Sequence, residues 1–228
     1  MHVFCDFDGT ISCDDTTDVI LSRFALPEWE EIEAQWKAGR MGSAECMQRQ
    51  IALVRASKAD LDATLDSLKI DDSFPSFVKF CESRAIPMSV LSDGVDYFID
   101  RILTRHKLNK MPIVSNRLSM NADGNYSLNT PYRNADCAAS SGVCKCAQIA
   151  KGTGTSIFVG DGRSDFCASG AADVVFAKGT LATYCEQQGI PYILYSSFSD
   201  IQAKLESLLP ALRRDPATVY AYAQSQLS

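Results

Sequence analysis

Histidine is nearly missing from this chain: among 228 residues only His2 and His106 occur. That removes the side chain most used for proton transfer near neutral pH, which is also a common ligand of zinc. No apolar run approaches the roughly 20 residues that span a bilayer, and no cluster of Lys or Arg stands out against a formal net charge of −6. Nucleic acid and anionic membrane are therefore not expected as partners, although a local cation can still hold a small anionic substrate. Low-complexity tracts and internal repeats are lacking too. No signal-peptide pattern is expected, because Asp6 interrupts any apolar segment near the first residue. The nine cysteines are odd in number and scattered, which argues for free thiols in a reducing cytoplasm and against a disulfide framework.

What the chain does have is a rhythm. With 46% hydrophobic and 22% charged residues, it is long enough for one large domain or for a core with a smaller insert. From residue 87 onward, short apolar strands alternate with helical stretches. "PMSVLSD" (87–93), "SIFVGD" (156–161) and "DVVFA" (173–177) read as buried strands. Helices are expected over 94–108, from about Cys144, from about Ser164 and over 180–188. "MPIVSNRLSM" and "YSLN" flank "NADGN", whose Asp123-Gly124 pair predicts a hairpin turn. The alternation implies a doubly wound α/β fold with a mostly parallel sheet covered on both faces. Residues 12–72 break that rhythm with helical patterns alone. Pro27 is placed to open a helix that repeats Trp29, Ile32 and Trp36 on one face, and Ser57 is placed to cap another. The predicted organisation is an α/β core of residues 1–11 and 73–228 with an inserted all-helical cap of residues 12–72.

Three of the predicted strands end in residues that a buried strand has no reason to carry. "VFCDFDGTI" ends in Asp6-Phe7-Asp8 with Gly9-Thr10 behind, the second strand ends in Ser92-Asp93, and the third in Asp161, followed by Gly162-Arg163-Ser164-Asp165. Ligands of open α/β sheets bind beyond the carboxyl ends of the strands. If these strands are neighbours, Asp6, Asp8, Asp161 and Asp165 converge on one spot, where they repel one another unless a cation is present. Hard carboxylate oxygens without histidine suit Mg²⁺ and not zinc. Positions two apart on a strand point the same way, so Asp6 and Asp8 can address one atom with different jobs. Acid–base work falls to a carboxylate. Two acids, a hydroxyl, a lysine and Mg²⁺ together describe phosphoryl transfer through an aspartyl-phosphate, metal and lysine offsetting the repulsion between carboxylate and phosphate. Lys145, at the start of a helix before the third strand, is the candidate lysine; Lys151 is nearer that strand but less well placed.

In order along the chain, "DFDGT" (6–10), "SDG" (92–94), Lys145 and "GDGRSD" (160–165) resemble the four motifs of the haloacid dehalogenase superfamily. The helical segment between the first two resembles the cap of its phosphoserine-phosphatase-like branch. The resemblance implies a phosphomonoesterase in which Asp6 is the nucleophile, while Asp8 protonates the leaving oxygen and then activates water. It implies that Ser92 and Lys145 hold the phosphoryl group, and that Asp161 joins Asp6 and the Asp8 carbonyl on Mg²⁺. Asp165 is implied as a ligand or as the support of one. Gly9 would let backbone amides approach the phosphate, and Thr10 would brace the loop. Asp93 departs from the Ser-Gly-Gly usual in the phosphoserine enzymes: it either adds a carboxylate beside the phosphate or turns away from it.

The same resemblance bears on the substrate, a small phosphorylated metabolite. The phosphoserine enzymes grip their amino acid with a cap Glu and an Arg that precedes a short apolar run. Here those positions hold Asp15 and Gln50, with Arg49 next to Gln50 but about 100° round the helix. These three are the candidate substrate contacts, and phosphoserine suits them poorly. "LPEWEEIEAQWKAGRMGSAECMQRQI", "GVCKCAQI" and "YCEQQGIPYILYSSFSDI" look more like the methionine-salvage branch, the hydroxyketo-methylthiopentenyl-phosphate phosphatases. Phosphoethanolamine and phosphocholine phosphatases are more distant cousins. A response-regulator receiver would be much shorter and carry paired acids, and a nucleotide-binding module would need GxGxxG where "GDGRSD" stands. A phosphomutase or a silent phosphate-binding protein on this scaffold stays as an alternative.

Overall fold

The computed structural model describes residues 1–121, 124–137 and 139–212. The first half of the chain holds β1 (His2–Cys5), α1 (Thr16–Phe24), α2 (Trp29–Lys37), α3 (Ser43–Ile51), α4 (Lys58–Leu65) and α5 (Phe74–Ser83). β2 (Met88–Val95), α6 (Asp96–Arg105), β3 (Ile113–Met120), β4 (Tyr126–Asn129) and α7 (Lys145–Ile149) follow. After β5 (Ser156–Gly160) come a 3-10 turn (Arg163–Asp165), α8 (Phe166–Ser169), β6 (Val174–Ala177), α9 (Gly179–Gln188), β7 (Ile193–Leu194) and α10 (Phe198–Leu212). The class is α/β with mostly parallel strands, as the alternation predicts. No described helix is long and apolar enough to cross a membrane. The chain divides into two compact units. The first holds Met1–Ile11, Ile70–Ser89 and the residues from Lys145 onward; the second holds Ser12–Lys69 and Val90–Cys144.

In the first unit β1 pairs in parallel with β5, β5 with β6, and β6 with β7. On the other edge of β1, the Val3 N–H donates to the Pro87 carbonyl at 2.9 Å, just ahead of β2. Every residue of β5 and β6 is buried, which is why "SIFVG" and "VVFA" run apolar without alternation. The register sets Cys5 against Val159, and the Asp6 N–H continues the ladder to the Val159 carbonyl at 2.9 Å. Asp6 therefore leaves the carboxyl end of β1 beside the last residues of β5. Behind the strands, α5 packs on α10 through Phe74, Phe77 and Phe198, none of them exposed, with ring centroids 4.6 and 5.3 Å apart across the helix pair.

In the second unit, residues 12–69 carry α1 to α4 and no named strand among the described residues. Ser57 caps α4 as predicted, its hydroxyl accepting from the Asp60 N–H at 3.1 Å. Pro27 does not open α2. It stands before the N-cap Glu28, in a turn where its carbonyl accepts from the Glu30 N–H at 3.1 Å. α4 is tied to α6 by Arg101, whose Nε and Nη2 donate to the two oxygens of Asp66 at 2.8 and 2.6 Å. β2 pairs in parallel with β3, and β3 antiparallel with β4. The expected hairpin is thus present, although Asp123 of its expected turn lies outside the described residues. β2 also runs two residues further than predicted: Gly94 and Val95 stay extended, and α6 starts at Asp96. A register shift between Leu91 and Val95 accompanies that extension, so "SDG" lies within a distorted strand end.

Candidate active site

The carboxylate oxygens of Asp6, Asp161 and Asp165 lie within 4.8 Å of one another. Each reaches that spot from its backbone: Asp6 past β1, Asp161 past β5, and Asp165 from the end of the 3-10 turn. Lys145, the first residue of α7, meets them, with Nζ 2.7 Å from Asp6 Oδ1 and 2.5 Å from Asp165 Oδ1. Lys145 and Asp165 have no exposed surface, and Asp6 keeps only 4%. Nζ also donates to Ser164 Oγ at 3.2 Å, a partner that sequence reasoning quotes within the motif but gives no role. Lys151 is exposed, and its Nζ donates to Gln148 Oε1 at 3.3 Å.

The acids are tied in different ways. Asp165 is fully committed: Oδ1 to Lys145, and Oδ2 accepting from the Asp161 and Gly162 N–H groups at 3.0 and 3.1 Å. Asp161 accepts the Thr10 hydroxyl at 2.5 Å on Oδ1, while Oδ2 faces Gly9. A Cβ on Gly9 would sit 2.5 Å from that oxygen, and its φ of +72° is itself left-handed. Gly9 is thus a glycine because a carboxylate and the backbone approach closely there. Asp8 stands half-buried in the turn after β1, and its side chain is outside the carboxylate trio.

Two buried acids and the half-buried Asp161 share one buried ammonium, and the electrostatics register the shortfall. Burial alone would lower Lys145, but Asp165 and Asp6 outweigh it and hold the ammonium above its ordinary value. Asp6 is nevertheless pushed well above the usual carboxylate range, by burial first and by Asp165 next, against the pull of Lys145. Asp161 is raised as well, chiefly by burial, against the hydrogen bond from Thr10. The donors are hard oxygens with no imidazole or thiolate among them. This set is compatible with a divalent cation of the Mg²⁺ type, which would supply the missing positive charge.

The remaining predicted residues lie in the second unit. Ser92 is buried, its Oγ accepting from the Gly94 N–H at 2.9 Å. Asp93 is buried too, and both of its oxygens are engaged. Oδ1 accepts from the Val143 N–H at 2.9 Å and from Asn116 Nδ2 at 3.1 Å, and Oδ2 from the Ser43 hydroxyl at 2.7 Å. Asp15 caps α1, Oδ1 accepting from the Asp18 N–H at 2.9 Å. Arg49 points outward into an exposed pair with Glu45 at 2.5 Å, whereas Gln50, next to it, is buried and donates to Glu33 Oε2 at 2.9 Å. Ser43, Asn116 and Glu33 carry no sequence signal for these contacts, because each is set by a neighbour far away in the chain.

A family model described as "Putative Phosphatase" matches residues 1–183. A 2-hydroxy-3-keto-5-methylthiopentenyl-1-phosphate phosphatase of Bacillus cereus is 31% identical over 215 residues, which cover 92% of this chain and 97% of the relative. Among solved structures, a haloacid dehalogenase family hydrolase of Salmonella enterica serovar Typhi superposes with a TM-score of 0.69 at 20% identity, covering 89% of this chain and 69% of that one. A phospho-aspartyl intermediate analogue of phosphoserine phosphatase gives 0.65 at 17% identity, over 92% and 97% of the two chains.

Proposed function

This chain belongs to the "Putative Phosphatase" family within the haloacid dehalogenase superfamily and is a phosphomonoester hydrolase; on that premise we propose that it cleaves a small phosphorylated metabolite through a phosphoryl group carried on Asp6, with Mg²⁺ as its metal. The observation that carries this reading is the buried ion pair of Asp6 and Lys145 inside a group of three carboxylates.

In the proposed reaction a carboxylate oxygen of Asp6 forms a bond to phosphorus as the ester oxygen leaves, and Asp8 gives that oxygen its proton. Asp8 then takes a proton from water, whose oxygen displaces Asp6 from phosphorus and releases inorganic phosphate. Lys145 offsets the negative charge on the phosphoryl oxygens. Ser92 is assigned a second phosphoryl oxygen on the strength of the motif order. Asp93, with both oxygens engaged by Ser43, Asn116 and Val143, is assigned to support of the strand end that carries Ser92. Asp6, Asp161 and the Asp8 carbonyl would hold the cation, and Asp165, committed to Lys145 and two amides, would support them. When bound, that cation neutralises charge between carboxylate and phosphate.

For the substrate, the 2-hydroxy-3-keto-5-methylthiopentenyl-1-phosphate in the relatives' name is the first choice, supported by the identity over nearly the whole chain. Phosphoserine, phosphoethanolamine and phosphocholine are the alternatives, and Gln50 lacks the charge that a phosphoserine carboxylate would call for. The work would be cytoplasmic. The test is phosphate release from these compounds with Mg²⁺ and with chelator. A kcat/KM for the methylthiopentenyl ester at least about tenfold above the others, lost with chelator, is expected; one decade corresponds to about 1.4 kcal/mol of discrimination. Preference for another ester would replace the substrate, and chelator-resistant turnover would remove the metal.

A further inference from the structure

Tyr195 follows directly on β7, and nothing in the proposed chemistry uses it. It keeps only 3% of its surface, and a buried phenol needs a partner for its O–H. Its partners all lead to one residue. The hydroxyl donates to the Gly160 carbonyl at 3.2 Å, the peptide that joins Gly160 to Asp161. The ring face, 5.3 Å from Lys178 Nζ, holds the lysine whose charge also acts on Asp161. Burial keeps the phenol protonated, above its ordinary value, so it stays a donor.

We propose that Tyr195 is a positioning residue for Asp161, its hydroxyl fixing the Gly160–Asp161 peptide and so the place from which the carboxylate is aimed at the metal. An alternative role as mere core packing would use the ring and leave the choice of hydroxyl partners arbitrary. The inference rests on the reading of this cluster as a divalent-cation site.

The test is Tyr195→Phe, which keeps the ring and removes one hydroxyl, with Mn²⁺ as probe and free Mn²⁺ measured by electron paramagnetic resonance. The wild type and Asp161→Asn are run beside it. Mn²⁺ affinity is expected to fall about threefold to tenfold in Tyr195→Phe, the size of one lost hydrogen bond, with a parallel rise in the Mg²⁺ needed for half-maximal turnover. A loss of thermal stability with unchanged Mn²⁺ affinity would make Tyr195 structural and overturn the proposal. Wild-type protein that binds no Mn²⁺, or binds it equally after Asp161→Asn, would overturn the metal-site reading and this inference with it. A second measurement does not depend on the folding of the variant: 3-fluorotyrosine placed at position 195 alone, followed by ¹⁹F resonance as Mg²⁺ is added. A resonance that moves with saturation supports the coupling, and one that stays fixed refutes it.

Discussion

The hydroxyl of Ser43, the first residue of α3, donates to Asp93 Oδ2 at 2.7 Å, while Asp93 Oδ1 accepts from Val143 and Asn116. One buried carboxylate thus joins α3, β2, β3 and the segment ahead of Lys145. Asp93→Ala leaves those donors without their acceptor, at an expected cost of about 3 kcal/mol in urea unfolding. Asp93→Asn keeps part of the acceptor capacity and should cost about half as much. Equal effects of the two substitutions, or none, would contradict the role of Asp93 as a junction.

Gly9 and Gly39 share a φ of +72°, but a Cβ added at Gly9 would meet the Asp161 carboxylate, whereas one added at Gly39 would meet nothing within 4 Å. Gly39→Ala should cost only the backbone strain, about 1 kcal/mol. Gly9→Ala adds the displacement of Asp161, and is expected to weaken Mg²⁺-dependent turnover by at least about tenfold, equivalent to about 1.4 kcal/mol. Stability and rate measured on both variants separate strain from the clash. A Gly9→Ala enzyme as active as Gly39→Ala would show that Asp161 is free to move.

Gln50 and Arg49 should behave oppositely despite being adjacent. Arg49→Ala removes an exposed pair and is expected to change stability by less than about 0.5 kcal/mol. Gln50→Glu sets a second carboxylate against Glu33 in a buried place and is expected to cost about 2 kcal/mol or more at pH 8. Repulsion raises the folded-state pKa of such a pair, so the penalty is present above that pKa and fades as pH falls through it. Unfolding at pH 5 and pH 8 reads the difference.

Asp15 offers a pH test in the natural chain. Loss of hydration, then the charge of Asp18 and, to a smaller degree, Glu33, push its carboxyl up to about 6, against two backbone hydrogen bonds. The folded-state value lies above the unfolded one, so ionising Asp15 works against folding, and its contribution declines as pH rises through that value. Asp15→Asn keeps an acceptor for the Asp18 N–H. It should be neutral near pH 4 and stabilising at pH 8 by less than about 1 kcal/mol: the carboxyl loses hydration locally, but the residue as a whole stays exposed, and water screens much of the repulsion. Stabilisation that is larger in acid would reverse the sign and refute the account.

The parallel strands were legible because burial on both faces leaves an uninterrupted apolar run, as in "SIFVG", and the acids stood out because they close such runs. Lys145 could be ranked above Lys151 from its place at a helix start, and its burial between Asp6 and Asp165 accords with that. The end of β2 was less legible: glycine at position 94 reads as a helix boundary, yet the strand runs on through it to Val95, which pairs with Asn116 of β3. Asp93 shows the same limit. Its partners Ser43, Asn116 and Val143 are far apart in sequence, and no local pattern says that a carboxylate will find donors there. Tyr195 ends an ordinary apolar segment, and only the tertiary contact with the Gly160 carbonyl gives its hydroxyl a job.

The central claim is that Asp6 carries the phosphoryl group. Wild-type enzyme turning over the methylthiopentenyl ester with Mg²⁺ can be quenched in acid within the first turnovers and digested for mass spectrometry. The account predicts one added phosphoryl group on the peptide that contains Asp6, absent without Mg²⁺ and absent in Asp6→Asn, which should also release no phosphate. Steady phosphate release by Asp6→Asn, or a phosphoryl group found on another residue, would contradict it.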